Sequence, residues 1–280
     1  MISLTEVKEK CRTGRFFAYD NWRDKLLVPP SIFFVWLFVN LGWSGNAVSW
    51  LSGAVAISGG ILLAANDQFL VLIGTCSYII FYFLDYVDGG VARFKNEGGI
   101  EGQYIDWIMH AVSAVALSAG IFVGALNHSG APFWLVPFGI LFILASVLQL
   151  DRFALGWWAI CMYRQQNRAN DRTGPATEAK TDERDGSLLW KGIRAVATVL
   201  FHENYAIYVW PALAIINIIF AGAGLPDFRL GLTLLGGTVY FANVVREIDL
   251  VSRRKKLGWA YNKLFLSVDK PVLPAEHFFL

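Results

Sequence analysis

Between residues 84 and 111 the chain reads LDYVDGGVARFKNEGGIEGQYIDWIMHA, a stretch that sets acids, an arginine and a histidine among apolar residues. Asp85 and Asp88 stand three residues apart, and Asp106 and His110 stand four apart. On helices, each pair shares a face. If the two helices face each other across a short turn, three carboxylates and an imidazole meet in one pocket. Such a group cannot remain charged and unpaired at low dielectric. Divalent cations answer that need, and an oxygen-rich set favours magnesium, manganese or calcium. Two adjacent ions would form the clamp that stabilises the attacking and leaving oxygens in phosphoryl transfer. Gly89 and Gly90 remove side chains beside the acids, so a ligand could approach the backbone closely. Arg93 adds a planar fork of donors suited to phosphate or pyrophosphate. Metals, arginine and glycine together read as a nucleotide-diphosphate site.

The elements that must hold these residues are membrane helices. Of 280 residues, 55% are hydrophobic and only 16% charged, against about 25% charged in a soluble domain. Six spans are expected, over residues 46–65, 68–86, 102–126, 132–157, 206–222 and 230–250, each near the ~20 residues a bilayer requires. The chemistry-bearing stretch thus joins the second span to the third. Residues 1–28 interleave Lys8, Lys10, Arg12, Arg15, Arg23 and Lys25 with Phe16, Phe17, Tyr19 and Trp22, a pattern expected of a helix lying on the membrane surface. Pro29 and Pro30 are expected to break that helix, and the apolar run 31–43 is too short to cross. Residues 165–186 read as a polar loop, followed by a helix over 188–201. The fold class is therefore all-α and polytopic. It divides into an N-terminal interfacial segment (1–45), a six-helix transmembrane catalytic domain (46–252) and a C-terminal tail (253–280).

Lysine and arginine placement sets the orientation. On one side the connections at 66–67 and 127–131 carry none, and the third carries only Arg229. The N-terminal arm, Arg93 and Lys95, residues 152–194 and residues 246–270 hold the rest, so both termini and the motif are expected to face the cytoplasm. No apolar signal core is evident at the N-terminus. Cys11, Cys76 and Cys161 are odd in number and widely spaced, which suggests neither a disulfide framework nor a zinc site.

The motif also resembles that of a known family. Asp85-x-x-Asp88-Gly89-x-x-Ala92-Arg93, eight residues, then Gly102-x-x-x-Asp106-x-x-x-His110 is similar to the CDP-alcohol phosphotransferase signature. That pattern is D-x-x-D-G-x-x-A-R, about eight residues, then G-x-x-x-D-x-x-x-D. Gly45-Asn46-Ala47-Val48-Ser49 looks like the family's Pro-Asn-x-x-Thr at the start of the first span. The resemblance implies transfer of a phospho-alcohol group from a CDP-alcohol, with CDP-diacylglycerol the default donor, to an alcohol acceptor with release of CMP. It implies two divalent ions, magnesium or manganese, on Asp85, Asp88 and Asp106. It also implies a CDP pocket lined by Gly89, Ala92, Arg93 and Gly102, contact with membrane lipids, and a homodimer.

The one departure is His110, where the family carries the aspartate that deprotonates the attacking hydroxyl. Imidazole is a competent base near neutral pH. It is also a metal ligand that shifts preference toward manganese or zinc. Three readings stay open: base, ligand, or a catalytically altered protein that only binds CDP-alcohol or lipid. Intramembrane prenyltransferases use two aspartate-rich motifs; no second one is evident, since Asp182, Glu183 and Asp185 lie in a polar loop. His128, His202 and His277 read as isolated. Arg253, Arg254, Lys255 and Lys256 read as a lipid anchor rather than a nucleic-acid patch.

Overall fold

The computed structural model describes residues 2–11, 22–97, 99–128, 133–148, 188–201, 203–220, 223 and 226–254. Within them every regular element is helical. In chain order these are α1 (Leu4–Cys11), α2 (Trp22–Asn40), α3 (Gly45–Leu63), α4 (Gln68–Lys95) and α5 (Ile100–His128). Then come α6 (Phe133–Leu148), α7 (Leu188–Phe201), α8 (Glu203–Ile219), α9 (Phe228–Leu235), a π-helical turn (Gly236–Tyr240) and α10 (Phe241–Arg254).

Four helical segments are long and apolar enough to cross a membrane: Gly45–Leu63, Gln68–Lys95, Glu101–His128 and Phe228–Arg246. They match the first, second, third and sixth expected spans. The fourth and fifth correspond to the shorter apolar helices Phe133–Leu148 and Tyr205–Ile219. The expected fourth span runs on into residues 149–157, which lie outside the described residues, as do the polar loop 165–186, His202 and His277.

Helix α3 is the centre of the fold, packing along both α4 and α5, while α4 and α5 touch each other only sparingly. Small residues make the crossings possible. A Cβ on Gly60 would run into the backbone carbonyl of Ala116, and one on Gly120 into the backbone of Gly60. Without a hydrophobic drive between helices in lipid, such close backbone approach is what holds them together. Ser44 caps α3 by accepting from Ala47 N, and Asp67 caps α4 by accepting from Leu70 N, each satisfying an orphan donor of the first turn.

Two local expectations are corrected. Helix α2 runs straight through Pro29 and Pro30 instead of breaking there. The donors these prolines lack would have served the carbonyls of Lys25 and Leu26, and both residues are exposed. The orphaned carbonyls therefore meet the surroundings, not the core, and the loss is tolerated. Helix α4 does not stop near residue 86; it continues through Gly89 and Gly90 to Lys95. Glycine costs about 1 kcal/mol in a helix, but Val87, Val91 and Phe94 bury themselves in a cluster with Val7, Cys11, Val28, Ile32 and Val35 of α1 and α2. That burial, about 1.5–3 kcal/mol for a large apolar side chain, outweighs the two glycines. The helix ends at Asn96, whose φ of 56° supplies the left-handed cap.

Candidate active site

Because α4 enters the site end as α3 and α5 leave it, contacts between them stack in layers. In the outermost layer Gly45 of α3 abuts Ala92 of α4: a Cβ on Gly45 would lie 2.8 Å from that of Ala92. The connection after α4 is tied back to the start of α3. Gly45 N donates to Glu97 Oε2 at 3.0 Å, and Lys95 Nζ donates to the Gly42 carbonyl at 3.0 Å. Glu97 thereby places a negative charge at the positive end of α3. A Cβ on Gly102 would come within 3.5 Å of Asn46 Oδ1, so the start of α5 rests near the same helix end.

One turn deeper, Ser49 of α3 donates to Asp88 Oδ2 at 2.6 Å. Asp88 is 7% exposed and lies within electrostatic reach of Asp85 and Asp106. Deeper still, His110 Nε2 lies 2.9 Å from Asp85 Oδ1 and 3.7 Å from Asp106 Oδ1. Phe81 and Tyr82 wall the imidazole, their ring centroids 5.2 and 5.9 Å away. Met109 covers the neighbouring gap, its sulfur filling the space a side chain on Gly53 would need.

Asp85, Asp106 and His110 each offer one ligand atom, and these atoms all lie within 4.8 Å of one another. Two carboxylates and an imidazole at that spacing fit a divalent cation of the magnesium-to-zinc range. The repulsion they must overcome is appreciable, since two unit charges 4 Å apart interact by about 4 kcal/mol at an effective dielectric near 20. Arg93 sits one turn beyond Gly89 with its guanidinium folded back on it: a Cβ at Gly89 would lie 3.1 Å from Nη2. A side chain at 89 would therefore crowd the Arg93 guanidinium, which lies within electrostatic reach of Asp88.

The fold therefore brings Asp85, Asp106 and His110 together, sets Asp88 beside them on Ser49, and lays Arg93 over Gly89. Ala92 and Gly102 line the seam between the end of α4 and the starts of α3 and α5. Sequence reasoning missed the partnership of Ser49 with Asp88, the aromatic walls and the cap by Glu97. It also missed a buried cluster at the other end of α3. Arg229 is fully buried, at 0% exposure, not a loop charge. Its Nε and Nη2 donate to Asp227 at 2.9 and 2.6 Å, and Nη1 donates to the carbonyls of Leu63 and Ala65, both at 2.6 Å. His128 joins it, Nδ1 lying 3.8 Å from Asp227 Oδ2.

No family model matches the chain, and no curated protein matches it. Among solved structures, the apo form of Mycobacterium tuberculosis phosphatidylinositol phosphate synthase is similar, with a TM-score of 0.41 and 16% identity over 81% of this chain and 94% of that one. A likeness that distant carries no weight for activity, so the functional reading rests on the side chains themselves.

Proposed function

We propose that this chain is a six-span integral membrane CDP-alcohol phosphotransferase whose catalytic domain covers residues 46–252, with its site facing the cytoplasm. The observation that carries the reading is the convergence of Asp85, Asp106 and His110 within 4.8 Å, on a motif whose spacing matches the family signature at every fixed position but the last.

In this reading Asp85, Asp88 and Asp106 hold the divalent ions, magnesium or manganese. Bound there, the ions offset the charge of the diphosphate and of the departing CMP. Arg93 grips the diphosphate with its fork of donors, in space left by the absent side chain of Gly89. Gly102 and Ala92 keep the seam beside them narrow.

His110 is the base. Asp85 engages Nε2 at 2.9 Å, which leaves Nδ1 as the nitrogen that takes the proton, since a nitrogen bound to an ion cannot also accept one. A carboxylate so placed orients the ring and stabilises the imidazolium that forms. The acceptor hydroxyl gives its proton to His110 and its oxygen bonds to the phosphorus on the alcohol side of the diphosphate. The bond from that phosphorus to the bridging oxygen breaks, and CMP leaves with that oxygen. CDP-diacylglycerol is the default donor, and the acceptor is an alcohol.

The test is CMP release from purified protein incubated with CDP-diacylglycerol or other CDP-alcohols, manganese or magnesium, and candidate acceptors. Release that needs donor, acceptor and metal together supports the proposal. Tight CDP-alcohol binding without release under any combination would replace it with the reading of a binding protein.

A further inference from the structure

The serines inside these helices follow one habit, and Ser49 departs from it. Ser58, Ser118 and Ser146 donate to the carbonyl one turn back, at 2.9, 2.6 and 3.0 Å. Ser52, Ser77 and Ser113 donate to the carbonyl three residues back, at 2.7, 2.6 and 2.8 Å. This is the default for a hydroxyl on a helix in an apolar setting. Ser49 has the same option in the Gly45 carbonyl, but that oxygen is 3.3 Å away while Asp88 Oδ2 on the neighbouring helix is at 2.6 Å. One hydroxyl hydrogen serves one acceptor well. The 2.6 Å distance falls in the short range of an O–H donor on a carboxylate, about 2.5–2.7 Å. Ser49 therefore spends its donor across the α3–α4 interface, on an acid the fold has buried.

We propose that Ser49 is a positioning residue of the metal site: its hydroxyl fixes the Asp88 carboxylate so that this acid can serve with Asp85 and Asp106. The inference rests on the metal-site reading above. Oδ2 is taken by Ser49, so that bond ties the Asp88 carboxylate of α4 to α3. Without the hydroxyl, an acid within reach of two other carboxylates is free to rotate away from them, and an ion loses one anchor.

Manganese affinity of the purified protein, read from the free-ion electron paramagnetic resonance signal, tests this without any substrate. Ser49→Ala should weaken manganese binding about tenfold or more, as loss of an outer-shell partner does, while Ser49→Thr, which keeps the hydroxyl, should stay within about threefold of wild type. In an Asp88→Asn background, Ser49→Ala should add nothing, because the serine acts only through that acid. Wild-type affinity in Ser49→Ala, equal losses in Ser49→Ala and Ser49→Thr, additive losses in the double variant, or no manganese binding by wild type would each overturn the proposal. If Ser49→Ala folds poorly, Ser49→Cys, which keeps the size but weakens the donor, takes its place in both backgrounds with the same expected pattern. Absence of CMP release with this binding pattern intact would sink the phosphotransferase reading and leave the role of Ser49 standing. Normal CMP release with the pattern absent would do the reverse.

Discussion

The two ends of helix α3 solve the same problem in opposite ways. At one end a buried acid, Asp227, meets a fully buried arginine in a two-pronged contact, and the guanidinium's remaining reach goes to the carbonyls of Leu63 and Ala65. Those carbonyls belong to the last turn of α3 and the residues after it, where a helix leaves acceptors unfilled. Gly124 makes room for the clamp, since a side chain there would collide with Arg229 and with Leu63 O. Charge is cancelled and every group is held. At the other end two acids, Asp85 and Asp106, converge on one imidazole, with Asp88 held by Ser49 beside them and the Arg93 guanidinium at the edge. Acids outnumber the basic groups beside them. A closed ion pair reads as structure, whereas an acid-rich cluster reads as a place kept for something positive.

The contrast can be broken at either end, and the largest effect is expected at the closed one. Arg229→Met strands Asp227 in the core, and losing one partner of a buried pair costs about 3–5 kcal/mol. Thermal melting of the detergent-purified protein should fall sharply, and Asp227→Leu with Arg229→Met together should recover most of the loss. If the single variant melts like wild type, the clamp is not what holds α9 to α3.

The matching change at the other end should damage chemistry and leave the fold. His110→Ala should lower CMP release by about 10²–10⁴-fold, the usual contribution of a positioned base, with little change in melting. His110→Asp should keep turnover with an altered pH profile. A ligand role would instead show as a changed metal preference, and a gain of activity over an inactive wild type would mark the altered-enzyme reading.

Smaller again is the effect of Asp106→Asn on stability. Removing one negative charge from a like-charged cluster relieves repulsion, so the metal-free variant should melt at or above the wild-type temperature, by about 0.5–2 kcal/mol where sites trade stability for function. A clear drop in melting temperature would mean the cluster is structural, like the clamp.

The smallest effect concerns α1, which props the site end from below. Cys11 is buried there, with Sγ 3.7 Å from the Gly90 carbonyl, and Lys10 Nζ lies 4.4 Å from the Phe94 ring centroid. Burial pushes the Cys11 thiol above its ordinary pKa, outweighing the lowering influence of Arg93 and Lys10. The reactive thiolate is then scarcer at neutral pH. Alkylation should be slower than for an exposed thiol and should quicken as pH rises through the shifted value. Fast labelling at neutral pH would show that α1 undocks readily.

The site was more legible in the sequence than the clamp, for a physical reason. Asp85, Asp88, Asp106 and His110 stand out because helical spacing pairs them inside apolar segments, where polar groups call for an explanation. Asp227 and Arg229, two residues apart beside a predicted loop, look like ordinary solvated charges; only the fold reveals that both are buried. Ser49 closes the motif-like run at the start of the first span, but its bond to Asp88 is not legible there, because a serine in an apolar helix normally satisfies itself on its own backbone. Apolar run length located four of the six expected spans as long apolar helices, yet it could not foresee that α4 would run on through Gly89 and Gly90. The packing of α1 and α2 that offsets those glycines is a tertiary effect. Nor could it place α3 between α4 and α5, which rests on glycine-to-backbone contacts far apart in the chain.

The most direct test of the central claim sets wild type beside Asp106→Asn, both shown to be folded, with a CDP-alcohol, an alcohol acceptor and manganese. Wild type should release CMP, a chelator should stop it, and Asp106→Asn should release none. CMP release by Asp106→Asn at the wild-type rate would contradict the account.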